Sequence, residues 1–548
     1  MISKKMFLIL GFLLAGVYVL GLFSGLLEND SAQFAVMAMR MVQEGDFWSL
    51  YKGTEPYLDK PHLHYWLAAG AFKLFGISEW AYKLPGVLAL FFGAYGVYQL
   101  AQLLYNASVA RAAALIFLST QTIVLSAIDL RTDALLTAFV CLALWQLIAF
   151  VQNPKPSYML WGSLAAALAF STKGHLALVM IGLPLLGHIW QARAWKLFLG
   201  WELLLGLFVF CLGISPVLYA YYLQFDLHPE LLIRGRSERS GIFFILWEQS
   251  FERLSGTGMG TNSPDYFFFF HTFLWAFLPF TALAVLMGID RFKQFKRAAN
   301  PGSGIFWGAI AVLLLISFAQ FKLPHYLNSS MGVWAVLCAG YLGTLHQEGI
   351  SKKLKYLLWL QRFIFFVLLG LCAAILFWIF RPNGYLIGIV FMVSVGLSLW
   401  QMLRNDATAT QIIWTGVLAC VITNATMNGV FYPALLQYQA GTQMAKKIQE
   451  QFPELSGKPL YKWGNAHSWA LDFGLQKPLL STLTPAALPS ESYLYVNSVQ
   501  LAEMVTGKRS FHTLLEVPRY RITRLKWSFL NPSTRDEQLE KMFLIQLH

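Results

Sequence analysis

Long apolar runs, each closed by a short polar stretch, recur along the chain up to residue 433. A helix rises 1.5 Å per residue, so a bilayer core takes about 20 apolar residues per crossing. On that measure the runs predict roughly thirteen spans, at 6–27, 82–105, 109–128, 131–152, 157–172, 175–190, 197–223, 266–288, 303–320, 325–345, 356–380, 384–404 and 410–432. The fifth and sixth are short and parted only by "STKG". After residue 433 the period changes. "QMAKKIQEQFPE" reads as an amphipathic helix, "PLYKWG" and "SYLYVNS" as short strands, "SVQLAEMV" as a helix, and "HTLLEVPRYRITRLKWSFL" as one or two further strands. The expected architecture is a polytopic α-helical membrane domain over 1–433, with an outer loop at 28–80, followed by a soluble α/β domain over 434–548. No internal repeat or low-complexity tract is evident.

Composition agrees with this pattern. Hydrophobic residues make up 57% of the 548 positions and charged ones 13%, more apolar surface than one soluble core needs. The net charge of +13 is largely an orientation signal, because Lys and Arg gather in cytoplasmic loops. If "MISKK" lies inside, the inner connections read "NPKPS", "QARAWK", "DRFKQFKRAAN" and "HQEGISKKLK", the densest basic clusters between spans. A nucleic-acid partner therefore finds no support in the positive charge. The first segment has the charged start and apolar core of a signal peptide, but no small-residue cleavage site follows, and it reads as a retained span. The cysteines, at 141, 211, 338, 372 and 420, all fall inside expected spans, with no CxxC or disulfide framework.

The same parity collects a set of polar residues on the outer face. The first loop holds Glu28, Asp30, Tyr57, Asp59 and Lys60; the junction of spans three and four holds Asp129, Arg131 and Asp133; Lys173 stands between spans five and six. The loop after span seven adds Arg234, Arg236, Glu238, Arg239 and Arg253, and "FKLPHY" adds Lys322, His325 and Tyr326. Polar groups at a membrane boundary are costly unless paired or facing a wet cavity, so their concentration on one side predicts one outward-facing cavity. Blander roles remain open: the cations can snorkel to headgroups, and Asp133 can cap a helix or pair with Arg131. His62 and His64 stand at i and i+2, which suits a metal on a strand, but no further ligand set completes a site, and no metal or other cofactor is expected. Cations and phenol hydroxyls make charge-assisted hydrogen bonds to phosphate oxygens, and a nearby carboxylate can take a proton from an incoming hydroxyl. That chemistry suits transfer of a group from a phosphorylated lipid. No Walker motif, GxGxxG or HExxH is present to support nucleotide or peptidase chemistry.

Five landmarks, "ENDSAQFAVMAMRMVQEGDFW", "PYLDKPHLHYWLAAGAFKLFG", "IDLRTDALLTAF", "AFSTKGHLAL" and "SFAQFKLPHYL", resemble in order and spacing those of membrane glycosyltransferases of the class C fold. The likeness is to the bacterial aminoarabinose transferases that modify lipid A and to their relatives, the protein O-mannosyltransferases. The resemblance implies that Asp30 is the catalytic general base and that Lys60 holds the donor phosphate, with Tyr57 and Tyr326 as supporting hydroxyls and Lys322 nearby. It implies that Asp59 is the acid before that lysine, Asp133 a second aspartate near the donor sugar, Lys173 a supporting group, and Arg239 or its neighbour Arg236 an outer-loop arginine. It also implies amphipathic helices lying on the membrane in the first outer loop, for which "AQFAVMAMRMVQEG" has the helical spacing. Ser31 and Gln33 depart from the family, which commonly has an acid and an arginine there. Either an outer-loop arginine substitutes or the donor headgroup differs.

The expectation is an enzyme of the bacterial inner membrane that moves a sugar from polyprenyl phosphate, chiefly undecaprenyl phosphate, to a periplasmic acceptor. A glycolipid such as lipid A is the first acceptor class and a protein hydroxyl the second. The end domain would lie on the periplasmic side. The rival classes are a lipid flippase or secondary transporter, which would predict pseudo-symmetric repeats, and a noncatalytic scaffold.

Overall fold

The computed structural model describes residues 1–28, 30–235, 237–249, 251–252, 263–293, 301–382, 386–403 and 408–548. Arg236, Arg253 and the basic stretch 294–300 lie outside them. The chain opens with α1 (Lys4–Leu22) and a connecting segment holding α2 (Asp30–Glu44), the β1–β2 hairpin (Tyr51–Lys52 and Glu55–Pro56) and α3 (Leu63–Phe75). Then come α4 (Glu79–Leu104), α5 (Ala107–Ser119), α6 (Gln121–Ile128), α7 (Thr132–Gln152), α8 (Pro156–Lys173), α9 (His175–Ala192) and α10 (Trp201–Tyr221). The helical part continues with α11 (Phe268–Ala276), α12 (Thr281–Lys293), α13 (Ser303–Phe318), α14 (Met331–Gln347), α15 (Ser351–Ala374), α16 (Leu386–Met402) and α17 (Thr408–Thr426).

Among the described residues, 7 helices are long and apolar enough to cross a bilayer, or up to 8 if the bent pair α5–α6 is one span. The chain is a multi-pass membrane protein. The remaining expected spans fall on less apolar, shorter or broken helices: 157–172 on α8, 266–288 on α11 and α12, 303–320 on α13, 325–345 on a 3-10 turn (Pro324–Ser330) and α14, and 384–404 on α16. Lipid offers no hydrophobic drive for helices to meet, so close approach depends on small residues. A methyl group on Gly93 of α4 would stand 2.9 Å from the Cα of Ala138 in α7. One on Gly187 of α9 would strike the carbonyl oxygen of Gly304 in α13, and one on Gly308 would strike that of Leu183.

Helix α2 is covered by protein on more than its apolar face. Ser31 to Met39 and Met41 are buried within the protein, so both the apolar and the weakly polar faces are covered. α3 packs on one side of it, and a helix from the far end of the chain packs on another. Apolar spacing predicts that a face is covered, but not what covers it.

That covering comes from residues beyond 439. They form α18 (Ala440–Gln451), β3 (Leu460–Trp463), α19 (Trp469–Gly474), β4 (Leu480–Thr482), β5 (Tyr493–Asn497), α20 (Ser498–Thr506), β6 (Phe511–Arg519) and β7 (Glu540–Leu547). The sheet order is β4-β3-β5-β7-β6, with β4, β3 and β5 parallel and β5, β7 and β6 antiparallel. β5 is buried on both faces: Tyr493 and Tyr495 pack with Met444 and Ile448 of α18, while Leu494 and Val496 pack with Met504 of α20. "HTLLEVPRYRITRLKWSFL" supplies β6 and then a short helix at Trp527–Leu530. Two strands of this sheet, β4 and β7, were absent from the sequence reading. β7 is the last apolar run, "KMFLIQL", and fills a central position that only long-range pairing assigns.

Candidate active site

The outer polar residues converge on a cavity of about 180 Å³. Asp30, Tyr57, Asp59, Lys60, Asp133, Lys173 and Tyr326 all line it, together with Arg131, Arg234, Glu252 and His325. They arrive from helix ends, turns and loops. Asp30 begins α2, just after the chain reverses from α1. Lys83 of α4 anchors that reversal by donating to the carbonyl oxygens of Gly21 at 3.2 Å and Gly25 at 2.5 Å and to Ser24 Oγ at 3.0 Å. Gly25 has φ +78, and a side chain there would run into Leu436, so the turn demands glycine.

Asp133 lies in the first turn of α7 and Lys173 is the last residue of α8. Their side chains, 4% and 2% exposed, form an ion pair with Lys173 Nζ 2.5 Å from Asp133 Oδ1. His325 Nε2 is 3.8 Å from the other oxygen, and Lys173 Nζ lies 4.7 Å from the centre of the Tyr326 ring. The "STKG" break has a structural cause. Gly174 has φ +66, and the position a side chain would need lies 2.7 Å from Gln249 Oε1. Gln249 in turn donates to the backbone oxygen of Asp59 at 2.7 Å. The glycine therefore lets the loop after α10 close over the "DK" pair.

The Asp133–Arg131 pairing, one of the blander roles open to Asp133, does not form. Arg131 instead bridges two other carboxylates, with Nη1 3.0 Å from Asp30 Oδ2 and Nη2 2.7 Å from Asp129 Oδ2. Arg239 and Lys322, also expected at the donor phosphate, do not line the cavity. Arg239 is 7% exposed and holds Glu248 at 2.9 Å and Glu252 at 2.5 Å. Lys322 donates to the Ser263 carbonyl at 2.6 Å, with its ammonium 5.4 Å from the Tyr266 ring centre. Among the described residues, the arginine of this loop that reaches the cavity is Arg234, which pairs with Asp59 and, at 2.8 Å, with Glu252. Nothing in the spacing of arginines along an irregular loop distinguishes 234 from 239.

Ser31 and Gln33 are buried in α2 away from the cavity lining, with Gln33 Nε2 3.7 Å from Met37 Sδ. His62 and His64 also face inward. The segment is the start of a helix, where residues two apart point about 200° apart rather than to one side. His62 donates to the Trp48 carbonyl at 2.9 Å and His64 bonds the Tyr82 hydroxyl at 3.0 Å. Burial pushes both imidazoles down to about 4, which leaves them neutral packing groups. Among the described residues, no three of His, Cys, Asp or Glu are grouped to hold a metal ion.

The cavity thus sets Lys60, Arg131, Lys173 and Arg234 against Asp30, Asp59, Asp133 and Glu252, with two tyrosines at its wall. Such a site can hold an anionic phosphate while presenting a carboxylate to a second reactant. Comparisons with known proteins point the same way. Residues 59–220 match the family described as dolichyl-phosphate-mannose-protein mannosyltransferase. The undecaprenyl phosphate-alpha-4-amino-4-deoxy-L-arabinose arabinosyl transferase of Edwardsiella ictaluri is 26% identical over 447 residues, 78% of this chain and 76% of that protein. The transferase of the same name from Yersinia pestis is 26% identical over 470 residues, 80% of this chain and 78% of its own. In fold, the chain is similar to the crystal structure of ArnT from Cupriavidus metallidurans bound to undecaprenyl phosphate, with TM-score 0.75, 16% identity and coverage of 99% and 98%. The apo structure of that protein gives TM-score 0.72 and 97% coverage of each chain. These likenesses, to transferases throughout, set aside the transporter reading. The chain is a membrane glycosyltransferase of the class C fold that resembles the undecaprenyl phosphate-aminoarabinose transferases.

Proposed function

We propose that this enzyme transfers a sugar from undecaprenyl phosphate to a hydroxyl of a periplasmic glycolipid, with Asp30 as general base. The observation that carries the reading is the cavity itself, where an exposed carboxylate and four cations brought from distant segments face one another. Asp30 is the carboxylate open to an incoming acceptor, its side chain 45% exposed, whereas Asp133 is sealed at 4%. In the proposed reaction the acceptor oxygen attacks the anomeric carbon as its proton passes to Asp30. The bond from that carbon to the phosphate oxygen breaks, and undecaprenyl phosphate leaves with the electron pair. Lys60, Tyr57, Tyr326 and Arg234 would take the charge that grows on the phosphate. Arg131 would hold Asp30 in line and Asp133 would face the sugar. Arg131 and Arg234 supply the guanidinium charge that Gln33 lacks, which favours a substitute arginine over a changed headgroup. The match of residues 59–220 to the protein mannosyltransferase family supports a protein hydroxyl as the second acceptor class.

The reading extends to topology. Thirteen expected spans with the N-terminus inside put the cavity and residues 434–548 on the periplasmic side of the inner membrane, and the basic connections on the cytoplasmic side. The test uses full-length protein in liposomes, labelled sugars on undecaprenyl phosphate and a membrane extract as acceptor. Asp30→Asn should lower transfer by about 10²- to 10⁴-fold, and Lys60→Ala and Arg234→Ala should raise the donor KM. Wild-type rates in Asp30→Asn, or no transfer by folded wild type from any donor, would defeat the proposal.

A further inference from the structure

The residues beyond 438 do more than cover α2; they grip it at both ends. Upstream, the Glu28 carboxylate accepts hydrogen bonds from Ser468 Oγ at 2.6 Å and from the backbone N–H groups of Trp469 at 2.7 Å and Ala470 at 3.3 Å, all at the start of α19. The backbone N–H of Glu28 donates to Gln439 Oε1 at 2.8 Å, and Gln439 Nε2 donates back to the Leu26 carbonyl at 2.9 Å. Downstream, Gln43 near the end of α2 donates to the carbonyl of Gln476, just past α19, at 2.8 Å. Between these points Phe473 of α19 packs against Phe72 of α3, with ring centres 6.0 Å apart. The grip has no slack at its base, since a side chain on Gly441 would collide with Ser468 Oγ.

Glu28 lies outside the catalytic cavity, so its carboxylate does not touch the reacting groups. It stands two positions before Asp30. Two residues of chain span at most about 7 Å, so whatever fixes Glu28 limits how far Asp30 can stray. The groups that would hold the donor, Lys60, Tyr57 and Tyr326, sit on other segments, after β2 and in the turn at Pro324–Ser330. We infer that Glu28 is a positioning residue: through it the C-terminal residues set where α2 holds Asp30, so that they tune the chemical step and leave donor binding alone. The assignment of Asp30 as base rests on the function proposed above, whereas the grip itself does not.

The experiment compares wild type, Glu28→Ala, Glu28→Gln and Gln43→Ala as full-length proteins in liposomes, by two measurements. The first is hydrogen exchange of the backbone amides over 30–44, which needs no turnover. Glu28→Ala should exchange about tenfold faster there, and Gln43→Ala should do so to a smaller degree. The second is transfer from an undecaprenyl-phosphate-linked sugar, with the number of undecaprenyl phosphate molecules bound per protein counted alongside. In Glu28→Ala, kcat should fall by ~10- to 100-fold, the loss expected for a displacement of about 1 Å, while the donor KM and the bound stoichiometry stay within twofold. Glu28→Gln keeps an acceptor oxygen for Trp469 N–H and should recover most of kcat, a rescue that a loss of fold would not show. Unchanged exchange over 30–44 in Glu28→Ala overturns the inference whatever the activity, as does an unchanged kcat in a protein that transfers sugar. Faster exchange in a protein that transfers from no donor would uphold the grip and defeat the proposed reaction. If Glu28→Ala does not fold, Glu28→Gln and Gln43→Ala decide by the same two readouts.

Discussion

Replacing Lys173 by Met keeps the length of the side chain and removes its charge, which isolates the Asp133 carboxylate where it is 4% exposed. The bare Coulomb attraction at 2.5 Å is not the quantity to expect, because both ions have been taken out of water. Breaking a buried pair from one side instead costs about 3–5 kcal/mol, most of it from the charge left behind. His325, at 3.8 Å, offers that charge a weaker partner, so the low end, about 3 kcal/mol, is expected. At about 1 °C per kcal/mol for a chain of this length, from about 2.1 cal/mol/K of unfolding entropy per residue, the melting temperature in detergent should fall by about 3 °C. The double variant Asp133→Asn/Lys173→Met removes both charges and should recover about 2 kcal/mol of this loss, the coupling that a double-mutant cycle reads for touching groups. It should not recover sugar transfer. A melting temperature for Lys173→Met equal to wild type, or strict additivity of the two single changes, would refute the account of this pair.

Two further predictions concern pH and packing. Burial pushes the Asp472 carboxyl up to about 7; Lys462 and the hydrogen bond from the Leu479 N–H work against this, and the charge of Glu28 adds to it. The folded protein therefore keeps a proton that the unfolded chain loses above its ordinary value near 4, so this group's contribution to stability is present at low pH and is lost as pH rises from about 4 to about 7. Asp472→Asn should flatten that part of the curve of melting temperature against pH, and an unchanged slope would count against it. Gly308→Ala places a methyl group against the backbone at Leu183 and Pro184, so α9 and α13 must part at a cost of about 1–3 kcal/mol. A thermal shift assay showing no loss would mean the two helices do not meet as closely as described.

The residues of the cavity were legible in the sequence to different depths. Asp30, Lys60, Asp133 and Lys173 follow from polar groups at the ends of apolar runs, because such groups at a membrane boundary need a partner or water. Their partners do not follow. Arg131 is two residues from both Asp129 and Asp133, and chain proximity alone favours neither Asp129 nor Asp30 over Asp133. The choice depends on how α2, α6 and α7 meet. Likewise Arg234, Arg236, Arg239 and Arg253 crowd one irregular loop, which has no period from which to read a direction. The histidine pair is a different case, since its spacing suits a metal only on a strand, and here it starts a helix.

By itself the sequence determined a multi-pass helical protein, its cluster of acids and cations at the ends of apolar runs, and a change of character near residue 433. Each of these is written in local patterns, apolar runs, turn residues and charge, that act over one or a few turns of chain. Tertiary structure alone decided that β7 runs between β5 and β6, that Arg234 and not Arg239 or Lys322 reaches the cavity, and that α19 closes on Glu28 from more than 400 residues away. Such choices depend on which surfaces bury one another once the elements exist, and no window of sequence contains both partners.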